Sequence, residues 1–187
     1  MDDLFNLTFT GATFSTDRRH RLTLWRIWDD KKPKVMFIGL NPSRADENVN
    51  DPTMRSIMRI AKRNGHGGVY MTNLFTYRST KPENIDWDDP NIPDADNILI
   101  DTSIKCKDVV FAWGANNTYG RDKEVERLFK RAMVVGLTKN GSPAHPLFIK
   151  GDTELKPYKE VEHETIYTPG QTKNGITLMD MEIRRKN

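Results

Sequence analysis

Cysteine and long apolar runs are the two features that this sequence most conspicuously lacks. Cys106 is the single cysteine among 187 residues, which excludes an internal disulfide, and no second cysteine or close histidine cluster accompanies it as metal ligands would. No stretch approaches the roughly 20 apolar residues that span a bilayer. The first residues, MDDLFNLTFT, lack the basic, apolar and cleavage regions of a signal peptide. We therefore expect a cytoplasmic protein without a membrane partner, metal or cofactor.

Internal repeats and long linkers are also missing. A chain of 187 residues without either is about the size of one α/β domain. We expect a single domain over residues 1–187, with a core at about 18–158 and a C-terminal extension at 160–187. An Asn-Gly turn lies between two strand-like runs of that extension and predicts a hairpin or a loosely docked tail. No feature of the sequence indicates an oligomeric state.

Charge is not strongly one-sided. The net charge of +3 permits contact with nucleic acid but does not require it, because dedicated duplex binders usually carry a more one-sided basic surface. One predicted helix, at about 51–64, carries a row of cations on its outer face. Two interpretations remain open for this row, a solvated face and a surface that follows phosphates. These cations are Arg55, Arg59, Lys62 and Arg63.

Predicted strands and helices alternate along most of the chain. The short apolar run at 35–40 predicts a strand buried on both faces, and similar runs predict strands that end at Asn73, at Gly114 and near residue 138. Between them, Asp51 and Asp94 are placed to cap two helices, and a third helix is predicted over 121–132. This order predicts a mostly parallel sheet with helices on both faces.

Two further patterns lie outside this alternation. The loosely alternating segments NLTFTGATFS and HRLTLWRIWDD predict an N-terminal β-hairpin, and HPLFI predicts a short extended piece. The stretch at 81–94 is rich in proline and aspartate and is long for a connection, so it is a candidate lid. The expected fold is thus a three-layer α/β sandwich with a mostly parallel four-stranded central sheet, plus an N-terminal β-hairpin.

Small polar side chains follow the predicted strands, where ligands bind in sheets of this type. Asn41 and Ser43 follow the first strand, Asn73 ends the second, Asn116 follows the third and His145 follows the fourth. A carboxamide presents a donor and an acceptor, which suits the edge of a nucleobase. A neutral imidazole, held in place by the proline that follows it, can donate to a developing anion. These residues predict a base-binding site at one rim of the sheet.

Each candidate also has a structural interpretation. Asn41 precedes Pro42 and is typical of a turn. Trp113 fits core packing, and Arg78 and Arg121 fit either ion pairs or phosphate contacts. The residue types alone do not decide between these alternatives.

Four segments follow one another along the chain: VMFIGLNPS, VYMTNLFTYRST, VVFAWGANN and GLTKNGSPAHPLFI. In this order they resemble a family found in bacteria and phages, the domain of unknown function 1643, over about 18–158. More distantly, the same segments resemble the uracil-DNA glycosylase superfamily. Its first motif is Gly-x-(Asp or Asn)-Pro, its second strand ends in a base-reading Asn, and its last motif begins His-Pro. The segment 39–42, Gly-Leu-Asn-Pro, is similar to the form in mismatch-specific glycosylases.

This second resemblance implies cleavage of an N-glycosidic bond in a fold like that of uracil-DNA glycosylase. By it, Asn41 would position the attacking water, Asn73 would read the base and His145 would stabilise the departing base anion. Because an amide cannot act as a base, Asp46 and Asp51 are the nearest alternatives, although Asp51 also fits a helix cap. The remaining candidates for substrate binding are Gly39, Leu40, Pro42, Ser43, Phe75, Tyr77, Arg78, Trp113, Gly114, Asn116, Arg121 and Lys139.

The last motif departs from the glycosylases. Where they commonly continue His-Pro-Ser and then a wedge that props the duplex open, this chain has Leu147, Phe148 and Ile149, which predict a strand entering the core. Base flipping normally needs such a wedge. The ligand is therefore expected to be a nucleic acid or a nucleotide, with duplex DNA in question.

Three functions remain open at this point. The first is a base-recognising enzyme that hydrolyses or otherwise processes an N-glycosidic bond of a base, including a modified one, in DNA or a nucleotide. The second is a non-catalytic protein that binds a nucleotide or modified base, as a sensor or sequestering module in phage and host conflict. The third, a DNA-binding accessory factor, predicts binding that weakens steeply with salt.

Overall fold

The computed structural model describes residues 8–43 and 50–158, in which three strands come first and helices then alternate with strands. In chain order the elements are β1 (Phe9–Phe14), β2 (Arg21–Ile27), β3 (Lys34–Gly39), α1 (Pro52–Arg63), β4 (Gly68–Asn73), a 3₁₀ turn (Pro82–Asn84), α2 (Ala95–Ser103), β5 (Asp108–Phe111), α3 (Arg121–Leu128), β6 (Met133–Val134), a second 3₁₀ turn (Pro146–Phe148) and β7 (Lys156–Pro157). The predicted C-terminal hairpin at 160–187 and the candidate Asp46 lie outside the described residues.

The strands of the described residues belong to one mixed sheet in the order β1-β2-β4-β3-β5-β6-β7. The four central strands, β4, β3, β5 and β6, are parallel to one another. β1, β2 and β4 pair in antiparallel fashion at one side, and β7 pairs antiparallel with β6 at the other. The prediction of a mostly parallel four-stranded sheet is therefore wrong, because the sheet of the described residues has seven strands and only three of its six pairings are parallel. The predicted hairpin exists, but β2 bonds to β4 and extends the sheet instead of standing apart.

The core lies on both faces of the sheet, as the apolar run at 35–40 predicts. In β3, Val35 and Phe37 pack in the cluster that contains α1, while Met36 and Ile38 pack in the cluster that contains α2 and α3. Side chains alternate between the faces of a strand, so a continuous apolar run serves a strand that is covered on both sides. The result is three layers, with α1 on one face and α2 and α3 on the other.

The cap predicted for α1 is present and that for α2 is not. Asp51 Oδ1 accepts a hydrogen bond from the backbone amide of Met54 at 2.7 Å, and Pro52 occupies the first turn, where a missing amide hydrogen costs nothing. The helix ends at Asn64 and Gly65, whose φ of 80° favours glycine. At the start of α2, the side chain of Asp94 makes no capping bond.

The C-terminal third is less regular than predicted. The third strand ends at Phe111 rather than Gly114, α3 ends at Leu128 rather than at residue 132, and the fourth strand is reduced to Met133–Val134. These elements are short and few backbone bonds reinforce their ends. Within the described residues, no helix has the length and apolar character that crossing a membrane requires.

The segment HPLFI is a 3₁₀ turn, so the prediction of an extended piece entering the core is wrong. Proline at residue 146 has a φ suited to the first position of a turn, and the amide of Phe148 donates to the carbonyl oxygen of His145 at 3.1 Å. The turn leaves 44% of Leu147 and 83% of Phe148 exposed. Two apolar side chains therefore project from the surface directly after His145.

Candidate functional site

A cavity of about 240 Å³ opens where β3 and β4 end. It is slightly smaller than the roughly 300–1,000 Å³ usual for drug-sized ligands, which suits a small ligand. The cavity brings together Asn41, Asn73 and His145, which are far apart along the chain. Its remaining walls are formed by Arg21, Leu24, Gly39, Leu40, Ser43, Asp51, Thr53, Met54, Ile57, Met71, Ser79, Thr80, Pro82, Trp113 and Asn116.

Asn73 is held in one orientation by Arg21. Its side-chain oxygen Oδ1 accepts a hydrogen bond from Arg21 Nη2 at 3.2 Å, and because a guanidinium can only donate, this contact identifies the oxygen of the amide. Asn73 Nδ2 is buried and has no hydrogen-bond partner among the described residues. A buried donor without an acceptor costs about 1–3 kcal/mol. Asn73 is thus prepared to donate to an acceptor atom of a ligand.

Gly39 makes room for this amide. A Cβ atom at residue 39 would lie 2.9 Å from Asn73 Nδ2 and 2.6 Å from Met71 Cε, closer than real Cβ contacts. Gly39 and Asn73 are register partners in the parallel pair of β3 and β4. Any larger side chain at residue 39 would displace the amide or fill the cavity.

Asn41 differs from Asn73, because hydrogen bonds within the described residues engage its side-chain nitrogen and not its side-chain oxygen. Its Nδ2 donates to the carbonyl oxygen of Ser79 at 2.8 Å and to that of Pro42 at 3.2 Å. The backbone amide of Ser79 in turn donates to the Pro42 carbonyl at 2.8 Å, which ties the two loops together. With its donors engaged, Asn41 offers Oδ1 as an acceptor, which suits the orientation of a water molecule.

His145 is held as a neutral donor. Its Nδ1 accepts a hydrogen bond from the backbone amide of Leu147 at 3.3 Å, so the proton of the neutral ring resides on Nε2. Burial lowers the pKa of His145, and the nearby charge of Asp51 opposes that shift without cancelling it. Gly114, at φ 77°, allows close approach because a Cβ there would lie 3.3 Å from His145 Cβ.

Asp51 combines a structural role with a place in the cavity wall. One carboxylate oxygen caps α1 through Met54, and the other accepts a hydrogen bond from the hydroxyl of Ser43. Both oxygens are therefore engaged by the fold. Trp113 is similarly dual, since it packs on Phe111 with ring centroids 4.6 Å apart and also lines the cavity.

Several predicted site residues lie outside the cavity wall. Phe75 is buried and packs edge-on against Trp87 with centroids 5.2 Å apart. Arg121 forms ion pairs with Asp96 and Glu124. Lys139 is exposed. Two more candidates, Tyr77 and Arg78, line a neighbouring cavity instead.

Pro42 and Gly114 also lie outside the cavity wall. The carbonyl oxygen of Pro42 accepts a hydrogen bond from Asn41, and Gly114 lies close to His145. Conversely, the sequence interpretation missed Arg21, which is only 3% exposed. A charged side chain inside a strand-like run is the signal that could have identified Arg21, because such a residue is rarely buried without a polar partner.

The wall combines apolar and polar groups. Apolar surface for a flat ring comes from Leu40, Met54, Ile57 and Met71. Asn41 supplies one hydrogen-bond acceptor, and Asn73 and His145 supply one donor each. No group of three or more histidine, cysteine, aspartate or glutamate side chains that could hold a metal ion occurs in 8–43 and 50–158. The arrangement suits recognition of a planar polar ligand.

No curated protein and no solved structure matches the chain. The model of one family, described as "Protein of unknown function (DUF1643)", matches residues 21–147, which include Arg21, Asn41, Asn73 and His145. This match covers more than half of the 187 residues, and the chain therefore belongs to the DUF1643 family.

Proposed function

We propose that the protein binds a nucleobase in the cavity at the ends of β3 and β4 and hydrolyses its N-glycosidic bond. The observation that carries this proposal is that Asn41, Asn73 and His145 line one cavity. The resemblance of their motifs to the uracil-DNA glycosylase superfamily supports it. So does the parallel arrangement of β3, β4, β5 and β6, which places the strand ends at one rim.

Each of the three side chains has the hydrogen-bonding capacity that its role requires. Asn73 Nδ2 donates to a carbonyl oxygen of the base, and Asn41 Oδ1 accepts from a water molecule. As the bond between C1′ and the base nitrogen breaks, its electron pair moves to the base. His145 Nε2 donates to the resulting anion. A donor aimed at developing charge is worth about two to three orders of magnitude in rate.

The water oxygen forms the new bond to C1′ and must lose a proton. Asn41 cannot accept that proton, whereas Asp51 is a carboxylate in the same cavity wall. In this proposal Asp51 receives the proton, in competition with its hydrogen bonds to Met54 and Ser43.

The exposed turn after His145 supports a base that arrives from a nucleic acid. Flipping a base out of its stack costs a few kcal/mol and is helped by an apolar side chain that fills the vacated space. Leu147 and Phe148 are exposed beside His145, so this role does not require another segment.

The test is release of free base, measured by mass spectrometry. Substrates are DNA containing uracil, mismatched thymine or hydroxymethyluracil, together with free nucleotides. We expect His145→Ala or Asn73→Ala to lower the rate by about 100- to 1,000-fold. Asn140→Ala, at an exposed residue outside the cavity, is the matched control and should retain the rate. Absence of released base across the panel would contradict the proposal.

A second candidate is a protein that binds the base without turnover, as a sensor or sequestering module. It is favoured by the engagement of both Asp51 oxygens and by an amide at residue 41. The variant Asp51→Asn separates the two functions, because asparagine caps helices as well as aspartate but cannot accept a proton. Hydrolysis predicts lost base release in this variant. The binding function instead predicts a nucleotide that raises Tm in wild type and variant alike and emerges unchanged.

A further inference from the structure

A second cavity, of about 300 Å³, adjoins the base cavity. The two share Ser43, Ser79 and Thr80 in their walls, so a ligand group that passes these residues moves from one to the other. The second cavity is basic, since Arg18, Arg19 and Arg78 line it. We call it the arginine cavity.

The arginine cavity is built on paired backbone rather than on a free loop. The amide of Arg78 donates to the carbonyl oxygen of Arg19 at 2.9 Å, and the amide of Arg21 donates to that of Thr76 at 2.9 Å. Between them, His20 is buried with Nδ1 2.9 Å from the hydroxyl of Thr76. These contacts hold the turn before β2 against the segment after β4, which positions the three arginines before any ligand binds.

Two of the guanidinium groups converge on one aromatic ring. The Cζ atoms of Arg18 and Arg78 lie 4.0 Å and 4.8 Å from the centroid of Phe14. A cation is attracted to the face of an aromatic ring, but two cations gathered at one ring repel each other. The ring of Phe14 thus holds two of the three guanidinium groups of the cavity close together.

Arg78 has unused hydrogen-bonding capacity. One terminal nitrogen donates to the carbonyl oxygen of Arg18 at 3.2 Å, whereas Nε is buried without a hydrogen-bond partner in the described part of the chain. Arg19 differs, because it pairs with Asp86 at 2.9 Å and Asp89 at 3.2 Å. Arg78 is therefore the central candidate for anion binding.

We propose that the arginine cavity binds a phosphate ester of the same ligand whose base occupies the neighbouring cavity. For the identity of that ligand, this inference rests on the proposed function. A guanidinium matches phosphate oxygens in a bidentate geometry, and the buried Nε of Arg78 has no hydrogen-bond partner among the described residues. The phosphate belongs either to a free nucleotide or to a phosphodiester of a nucleic acid.

The experiment compares Arg18→Gln and Arg78→Gln with Arg131→Gln, which removes the same charge from an exposed residue outside both cavities. Calorimetry measures binding of nucleosides, their 5′-monophosphates and inorganic phosphate, and fluorescence anisotropy measures binding of a single-stranded oligonucleotide. We expect each cavity variant to weaken phosphate-bearing probes by about tenfold and to reduce the salt dependence by about one phosphate contact. Nucleoside affinity should be unchanged.

The probes also separate the two sources of phosphate. Loss confined to monophosphates assigns a free nucleotide, and loss confined to the oligonucleotide assigns a phosphodiester. Three results would overturn the inference: an equal loss of affinity in Arg131→Gln, an equal loss of affinity for nucleosides, or wild-type protein that binds neither the monophosphates nor the oligonucleotide. Arg18 is exposed, so its substitution keeps the test valid if Arg78→Gln lowers Tm.

Failure of the phosphate inference can be distinguished from failure of the proposed function. If the arginine variants weaken oligonucleotide binding while Asn73→Ala changes nothing and no base is released, the base cavity proposal fails and the phosphate site stands. If Asn73→Ala abolishes binding while the arginine variants resemble Arg131→Gln, the phosphate inference alone fails.

Discussion

Arg121 and Arg78 lie in two regions at the strand ends and differ in how completely the fold satisfies them. The side chain of Arg121 is 13% exposed and forms ion pairs with Asp96 and Glu124. Hydrogen bonds to these carboxylates raise its pKa, although burial acts in the opposite direction. Arg78 instead keeps a buried Nε without a partner in the described residues.

The same contrast separates the two cavities from the rest of the rim. Asn73 Nδ2 and Arg78 Nε are both buried donors that no described residue satisfies, and each lies on a residue that lines a cavity. Buried polar groups are normally paired, and we propose that a ligand satisfies these two. Arg121 is explained by structure alone, and Asn73 and Arg78 are not.

The largest expected effect concerns the surroundings of Asn73. Gly39→Ala places a methyl group against Asn73 Nδ2 and Met71 Cε, so we expect a loss of about 1–3 kcal/mol in the free energy of unfolding. Ligand binding and base release should fall with it. Urea denaturation and base release measure the two effects.

The control for this prediction is Gly141→Ala. Gly141 has φ 79° and an open environment, so it reports the backbone cost of losing a glycine without any contact with the cavity. Base release that survives Gly39→Ala but not Gly141→Ala would contradict the assignment of the cavity.

A smaller effect is expected at Arg121. Arg121→Ala removes a largely buried cation from two exposed carboxylates, and solvent screening limits the loss to about 1 kcal/mol in the free energy of unfolding. Because Arg121 lies outside both cavities, base release and oligonucleotide binding should be retained at temperatures below Tm. An affinity loss without a stability loss would show that Arg121 belongs to the binding surface.

The smallest effect concerns His145. Burial lowers its pKa below the ordinary value of 6.5, so the unfolded chain binds more protons here than the folded one as pH falls. The contribution of His145 to stability is present above about pH 6.5 and is lost as pH falls through the lowered pKa. The Tm of the wild type should therefore fall more steeply with decreasing pH than the Tm of His145→Gln. Parallel pH profiles would contradict the buried, neutral imidazole.

Much of the fold could be predicted because local patterns coincide with tertiary burial. The run at 35–40 became β3, and the capping pattern at Asp51 and Pro52 began α1. The segment HPLFI, residues 145–149, could not be assigned correctly, because an apolar stretch of that length fits either a strand or an exposed turn. Its backbone is decided by Pro146 and its surroundings, which leave Phe148 exposed.

The strand-end residues that line the cavity were predictable from the sequence, but the residues around them that come from the hairpin were not. Asn41, Asn73 and His145 follow from the rule that parallel strands place their ends at one rim. Arg21 and Arg18 come from the hairpin, and nothing in their spacing shows that β2 pairs with β4 and brings the preceding turn beside the segment after β4.

The sequence by itself determined which residues are buried in strands and helices and which polar groups follow the strands, because periodicity and capping act between near neighbours. Tertiary structure alone decided which hydrogen-bonding atoms of those groups stay unused. Asn73 presents a donor because Arg21 occupies its oxygen, and Asn41 presents an acceptor because Ser79 and Pro42 occupy its nitrogen. Such pairings depend on contacts between residues distant in the chain, which the fold creates.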